Sequence, residues 1–535
     1  MLGHRWAVAV VAVLVVAVGV RAFGSTLADP LADADAWANV AWAGRPLRDQ
    51  LLVPLTGGIA GDDAHFWRPA AMLMFWLERR LFGWEPAGWA AWNIALHALS
   101  SCLAGAVVLR FSAAVSGGGL LAAVVALAFA GHPLTEDVVP ATARSIDLLL
   151  AVATFWALLA LSCLHERGWR GWVAFLGAVA LALGTKETAV LLLPLSALWV
   201  LLFRLDLPRQ CRVRAALRVA APVAVLVGAW LVLRAWVLGG FGGYYESVRP
   251  EWVWSALERA FVEPFVPTLS AFAPRGWRTL VPTALTWVVL LRWGWHSPHR
   301  RLVLFAAAWF LGATAIHVAT GTLSRRVYYV LTLPACLLVL PALIHASCEP
   351  RRRLAGSVIG LAWALAFVHG SPAVFRYRQW PEISRASEVY RDASFWSAVP
   401  AGTRVWLLER PFRADLDPRT FRFWGGRGRS LHHGAPAYAV EAWLAEVMPE
   451  RKLEVETLTG TAFTAPLAAQ RVDWQQDGGR LVVRRQGADR QRWPVRGPFA
   501  ADSDGETVTV YPREPTDDRV VLWTPDGLVL WPSGP

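Results

Sequence analysis

Lys186 is the first residue whose type asks for a reason. Lys and Arg together number 52, yet only Lys186 and Lys452 are lysine. Lys186 stands in Gly184-Thr185-Lys186-Glu187-Thr188, between two apolar runs. An ammonium is a compact point charge and a guanidinium a planar fork, so the exception has chemical content. A phosphate ligand suits Lys186, with Glu187 beside it to hold it; a buried Lys–Glu pair with a structural task is the alternative. Arg325 and Arg326, followed by Tyr328 and Tyr329, offer guanidinium groups that bind phosphate oxygens bidentately. An aromatic belt with a snorkelling Arg accounts for the same residues. Arg144 and Asp147 lie three residues apart, a spacing that lets them pair on one helix face. Asp33 and Asp35 follow the first apolar run closely, at the depth where a lipid-borne headgroup sits. A carboxylate there serves as general base on a hydroxyl or as ligand to a divalent cation, Mg or Mn; a solvated turn is the plainer reading.

These residues need elements to place them, and composition says which kind. The chain has 535 residues, 55% hydrophobic and 17% charged. Long apolar runs fill the stretch from Trp6 to Val368, whereas Ser371–Pro535 has ordinary polar composition. The expected fold is a polytopic α-helical membrane protein of about 11 spans. Their bounds are 6–26, 88–110, 118–134, 146–164, 171–185, 187–203, 216–238, 279–294, 302–319, 328–346 and 354–370. A disordered chain, a secreted disulfide scaffold and a cytosolic enzyme are excluded together.

The net charge of +12 is distributed as short basic clusters between apolar runs, the pattern of cytoplasmic loops rather than of a nucleic-acid face. This places the N-terminus inside and, with an odd number of spans, residues 371–535 outside. Arg21 interrupts the place where a leader peptide would be cleaved, so the first run reads as a retained span. Composition rich in Arg, Ala and Trp suggests a bacterial inner membrane, with a periplasmic or extracellular tail. The domains expected are 1–370 in the membrane, with a first outer loop at 27–87, a juxtamembrane segment at 371–400, and a soluble domain at 401–535. Within the first loop, 66–82 is amphipathic and reads as lying along the membrane surface. The tail reads as a small α+β or mostly β module. Its expected strands are 404–408, 453–457, 480–484, 507–511, 519–523 and 528–531, with a helix at Ala437–Val447. It could bind acceptor, bind glycan or cap the membrane domain. Asn93 and His97, one turn apart in the second span, read as hydrogen bonders between helices.

Three blocks taken as a set resemble a known family. They are FWRPAAMLMFWLERRLFGWEPAGWAAWNIALHALSS (66–101), AFAGHPLTEDVVPATARSIDLLLAVATFWALLAL (128–161) and LGTKETAVLLLPL (183–195), with a looser SRRVYYVLTLP (324–334). In order and spacing they are similar to the transmembrane and tetratricopeptide-repeat-containing O-mannosyltransferases and their bacterial relatives, within the glycosyltransferase C (GT-C) superfamily. The repeats themselves are absent from this sequence. The adjacent acidic pair of the family is here Asp33-Ala34-Asp35, so either aspartate answers to the base. The resemblance implies a polyprenyl-phosphate-linked sugar as donor, mannose in the named family, and a protein or glycan acceptor. It implies donor phosphate on Lys186, Arg144 and Arg326, with His132, Glu136, Asp147, Glu187, Arg68 and Tyr329 in support. Transfer to lipid or surface glycan, and a non-catalytic lipid-handling or transport relative, are the competing readings. Repeated halves with broken spans, the mark of many transporters, are not seen.

Overall fold

The computed structural model describes residues 2–28, 34–52, 55–56, 64–112, 115, 117–240, 243–244, 257, 261, 277–319, 328–369, 389–407, 437–457, 472–477, 480–485, 499–503, 507–512, 518–524 and 527–531. The chain opens with α1 (Leu2–Phe23), α2 (Ala34–Ala43) and α3 (Leu47–Leu52), then strands β1 (Leu55–Thr56) and β2 (Ala64–Phe66). Next come α4 (Pro69–Phe82), α5 (Pro86–Phe111), α6 (Gly118–Ala130), α7 (Ser145–Ser162), the single turn α8 (Leu164–Arg167), α9 (Trp169–Thr185), α10 (Leu192–Phe203) and α11 (Arg209–Leu238). Strand β3 (Gly243–Tyr244) precedes α12 (Trp277–His296), α13 (Arg300–Ala319), α14 (Thr332–Cys348) and α15 (Arg353–His369). The tail holds α16 (Ala393–Ala398), β4 (Arg404–Leu407), α17 (Ala437–Val447), β5 (Glu454–Thr457), β6 (Val472–Asp477), β7 (Arg480–Arg485), β8 (Phe499–Ser503), β9 (Thr507–Pro512), β10 (Arg519–Thr524) and β11 (Gly527–Trp531).

The protein is a mostly helical, multi-pass membrane protein with a small C-terminal sheet region. Among the described residues, six helices are long and apolar enough to cross a bilayer, and four more apolar helices are shorter. A helix stands at each of the eleven expected runs. Several boundaries differ: α11 starts at Arg209 rather than 216 and α6 ends at Ala130 rather than 134, and two further differences have physical reasons. The run expected at 187–203 begins with a 3-10 turn, Glu187–Leu191, because Lys186 and Glu187 are drawn into ion pairs instead of continuing α9. The run expected at 328–346 becomes helical only at Thr332. Tyr328 and Tyr329 precede it as fully buried residues, not as an interfacial belt.

Segment 66–82 forms α4, whose Pro69 fills a first-turn position where a missing N–H costs nothing. Its buried face (Ala71, Met72, Met74, Phe75, Glu78) recurs at three and four residues, as an amphipathic helix requires. The turn into α5 runs through Gly83 at φ +58, a backbone conformation that a side chain disfavours. A three-stranded sheet in the order β1-β2-β3 joins the first loop to the chain beyond α11, with His65 opposite Gly243.

Among its described residues the tail contains two four-stranded sheets. In β11-β10-β4-β5 the pairs β10–β4 and β4–β5 are parallel, and α17 supplies the crossover from β4 to β5. The second, β6-β7-β9-β8, is antiparallel throughout.

Candidate functional site

At the end of the bundle where α4 starts and α9 stops, five charged side chains meet. Arg68 flanks the first turn of α4, and Glu187 follows α9 by two residues. They approach because Gly184 lies against Ala70: a Cβ at position 184 would stand 3.0 Å from the Ala70 Cβ. Arg68 then grips Glu187 with both arms, Nε to Oε1 at 3.2 Å and Nη2 to Oε2 at 2.9 Å. Arg234, near the end of α11, donates to the same Oε1 at 2.9 Å and to the Trp67 carbonyl at 3.3 Å. The β2–β3 pairing closes this corner, since β2 ends two residues before Arg68 and β3 starts nine after Arg234. The guanidinium of Arg68 also lies over the Phe66 ring at 4.3 Å, and that of Arg234 over Trp230 at 5.4 Å.

Beside this trio Lys186 forms a buried ion pair with Asp147, in the first turn of α7. The expected partner Glu187 is not the one used. Lys186 is extended (φ −159, ψ 147), so its side chain diverges from that of its neighbour, and Glu187 is taken by two arginines. The expected sharing of one helix face by Arg144 and Asp147 is also corrected. Arg144 closes a separate 3-10 turn, Thr142–Arg144, while Asp147 lies inside α7 and serves Lys186.

A second network holds the neighbouring backbone. The Tyr329 hydroxyl lies 2.8 Å from His97 Nδ1 and 2.9 Å from Ser100 Oγ, and His97 Nε2 is 3.0 Å from the Ala130 carbonyl. Tyr329 is within electrostatic reach of Asp147, which links the two networks. Asn93 donates to the carbonyls of Val139 and Ala141 at 3.1 and 3.0 Å, fixing the chain that leads to Arg144. Asn93 and His97 thus act as the expected bonders between elements. His132 Nδ1 accepts from the Leu134 amide at 3.2 Å and caps the 3-10 turn Pro133–Asp137, which carries Glu136.

The structure brings together Lys186, Asp147, Glu187 and Arg68, with Tyr329 behind them. Asp35 stands in the first turn of α2, which packs on the Thr142–Arg144 turn. Asp33 and Arg326 lie outside the described residues. Among the described residues no three His, Cys, Asp or Glu side chains are grouped to hold a metal ion. Arg234 was missed by sequence reasoning, although an Arg inside an apolar run is a signal in itself.

Glu78 was missed as well. It is fully buried on the inner face of α4, and neither carboxylate oxygen has a hydrogen-bond partner. Burial pushes its pKa well above the usual carboxylate range, and the nearby Ser145 hydroxyl does not relieve it by bonding either oxygen. That hydroxyl donates to the Thr142 carbonyl at 2.8 Å. A raised folded-state pKa means the group favours folding fully only below the ordinary Glu value near ~4.3, and loses this as pH rises through the folded pKa. Glu78→Met is therefore expected to stabilise the protein at neutral pH by about 1–3 kcal/mol, the cost of a buried polar group left unpaired. Thermal unfolding across pH checks it: the gain should shrink toward acid pH, and a destabilised variant at pH 7 sinks the idea.

No family model matches the sequence, and no curated protein matches it. Among solved structures the chain is similar to the oligosaccharyltransferase of Archaeoglobus fulgidus, crystallised with a tethered acceptor peptide containing the NVT sequon. Identity is 13% over 81% of this chain, with a TM-score of 0.41, and the chain spans 63% of the length of that protein. It is similar also to ArnT from Cupriavidus metallidurans, solved bound to undecaprenyl phosphate and in the apo state. Identity is 16% over 83% of this chain and 89% of that one, with a TM-score of 0.42 for both.

Proposed function

We propose that the protein is a membrane glycosyltransferase of the GT-C type, moving a sugar from a polyprenyl phosphate to an acceptor hydroxyl at the outer face of a bacterial inner membrane. The observation that carries this reading is the cluster in which Lys186 pairs with Asp147 beside Glu187, Arg68 and Arg234, with a small apolar cavity built from residues next to them in sequence. The cavity is lined by Leu150 and Thr154 of α7, by Thr188, Ala189, Leu192 and Leu195, and by Trp309, His317 and Val330. Leu150, Thr188 and Val330 follow Asp147, Glu187 and Tyr329 by three, one and one residues along the chain. A cluster of fixed cations suits a ligand with an anionic head. The sequence resemblance of blocks 66–101, 128–161 and 183–195 supports the same assignment.

In the proposed reaction the acceptor oxygen attacks the anomeric carbon and the bond from that carbon to the phosphate oxygen breaks, inverting the centre. The acceptor proton passes to Asp33 or Asp35, and the polyprenyl phosphate leaves with the bonding pair. Asp147 holds Lys186 in place by one N–H, leaving two donors for phosphate oxygens. Arg144 and Arg326 would share the charge. Stabilising a leaving group with fixed cations in a water-poor site lowers the barrier without reorganisation. The tail would face the periplasm or cell exterior. The acceptor is a protein or a glycan.

Purified wild type, Asp33→Asn and Asp35→Asn are tested with radiolabelled polyprenyl-phosphate sugars, mannose first. Wild-type turnover, reduced by about 10²-fold or more in one variant, supports the reading, since a positioned base contributes on that order. A folded protein that binds the lipid yet turns over no donor overturns it in favour of a lipid-handling protein.

A further inference from the structure

Helix α2 has only ten residues, too few to persist alone in water. Tertiary contacts must hold it, and they come from two sides. On one side α2 packs on α4 and on the Thr142–Arg144 turn. On the other lies α17, a helix of the tail hundreds of residues away in sequence. Both helices are buried at the seam where they meet: Ala36, Trp37 and Val40 on α2, and Ala439, Val440, Trp443 and Leu444 on α17, have little or no exposed surface. Trp443 meets Trp37 edge-on, with ring centroids 6.3 Å apart at 82°, and Trp37 leans on Trp84 at 5.6 Å.

A polar latch closes the same seam. The Trp84 indole N–H donates to Glu446 Oε2 at 3.0 Å, and Arg79 pairs with that oxygen while lying over the Trp84 ring at 4.8 Å. One carboxylate of the tail thus gathers the end of α4 and the turn after it. Aromatic pairs of this kind add to simple burial, and the shared oxygen ties α17 to the end of α4 and to Trp84, on which Trp37 of α2 leans.

We infer that α17, through Trp443 and Glu446, is the positioning element that fixes α2, and with it Asp35, against the turn carrying Arg144. The inference rests on the proposed function for the role of Asp35, but the clamp itself is a property of the fold. The tail is then part of the catalytic apparatus, rather than an appended acceptor module or cap. A displacement of α2 changes the distance between base and leaving group while leaving the cationic site and the apolar cavity alone. Misplacement by about 1 Å is enough to cost on the order of 10²-fold in rate.

The test uses full-length protein in nanodiscs, with Trp443→Ala, Trp443→Phe and Glu446→Gln. Hydrogen exchange of the α2 amides is read first, since it needs no substrate. Trp443→Ala should speed it about tenfold or more while amides of α5 and α7 keep wild-type protection; Trp443→Phe should restore most of it. Kinetics come second. Trp443→Ala should lower kcat by about 10²-fold with the KM for polyprenyl-phosphate sugar within about twofold of wild type, as expected for lost orientation without lost binding. Glu446→Gln, nearly isosteric, should show a smaller fall of the same kind and guards against a misfolded Trp443→Ala. Wild-type α2 exchange in both Trp443→Ala and Glu446→Gln overturns the clamp, whatever the activity. Faster exchange with unchanged kcat overturns the positioning role. Absence of turnover in wild type counts against the function proposed above, and the exchange result still decides the clamp.

Discussion

Lys186→Met is expected to abolish binding of polyprenyl phosphate and to destabilise the protein by about 3–5 kcal/mol, the usual cost of breaking a buried ion pair from one side. The ammonium and its partner Asp147 keep only 12% and 6% of their side-chain surface. Methionine matches the lysine stem in length but leaves the carboxylate of Asp147 uncompensated inside the bundle. The double variant Lys186→Met/Asp147→Asn removes both charges, and its stability should return to within about 1–2 kcal/mol of wild type, since replacing a whole buried pair is often near neutral. Lipid binding should not return with it. Thermal unfolding in detergent and a lipid-binding isotherm, measured on all three proteins, separate the two roles. Recovery of both stability and binding in the double variant would show that Lys186 serves the fold alone.

Lys186 was conspicuous in sequence because all but two of the 52 Lys and Arg residues are arginine and because apolar runs flank its short polar segment. Its partner was not, because Asp147 is 39 residues away and meets Lys186 only when α7 and α9 pack side by side. Helix positions were legible throughout the bundle because a bilayer demands long apolar runs. Ion-pair partners were not, because sequence spacing ranks neighbours along one helix and says nothing of neighbours across helices. In the tail, the helix Ala437–Val447 and strands β4, β5, β7, β9, β10 and β11 fall within a residue of their expected places. The two strands that went unseen, β6 (Val472–Asp477) and β8 (Phe499–Ser503), are the outer members of the order β6-β7-β9-β8. Edge strands carry polar residues that blunt further pairing, so VDWQQD and FAADS lack the apolar run that marks an inner strand. Glu78 was hidden for a related reason: on an amphipathic helix an acidic residue reads as solvated, and only packing shows it on the buried face.

Glu187→Ala is expected to be as damaging as the loss of Lys186, about 3–5 kcal/mol, and for a different reason. This carboxylate is the common anchor of two guanidiniums, Arg68 with 16% and Arg234 with 5% of its side-chain surface exposed. Without it two positive charges from α4 and α11 face each other in a corner where water screens poorly. Glu187→Gln keeps an oxygen for one arginine but not the charge, so its loss should be intermediate. Arg68→Lys should fall near Glu187→Gln, because an ammonium cannot reproduce the two-armed grip on Oε1 and Oε2. Raising ionic strength should change the wild-type and variant unfolding temperatures almost equally, since salt screens buried pairs far less than exposed ones. A Glu187→Ala protein as stable as wild type would mean that the arginines find other counter-charges at no cost, and would remove Glu187 from the site. A destabilised one whose lipid binding survives would instead make the trio a brace, leaving the phosphate to Lys186 and Arg144.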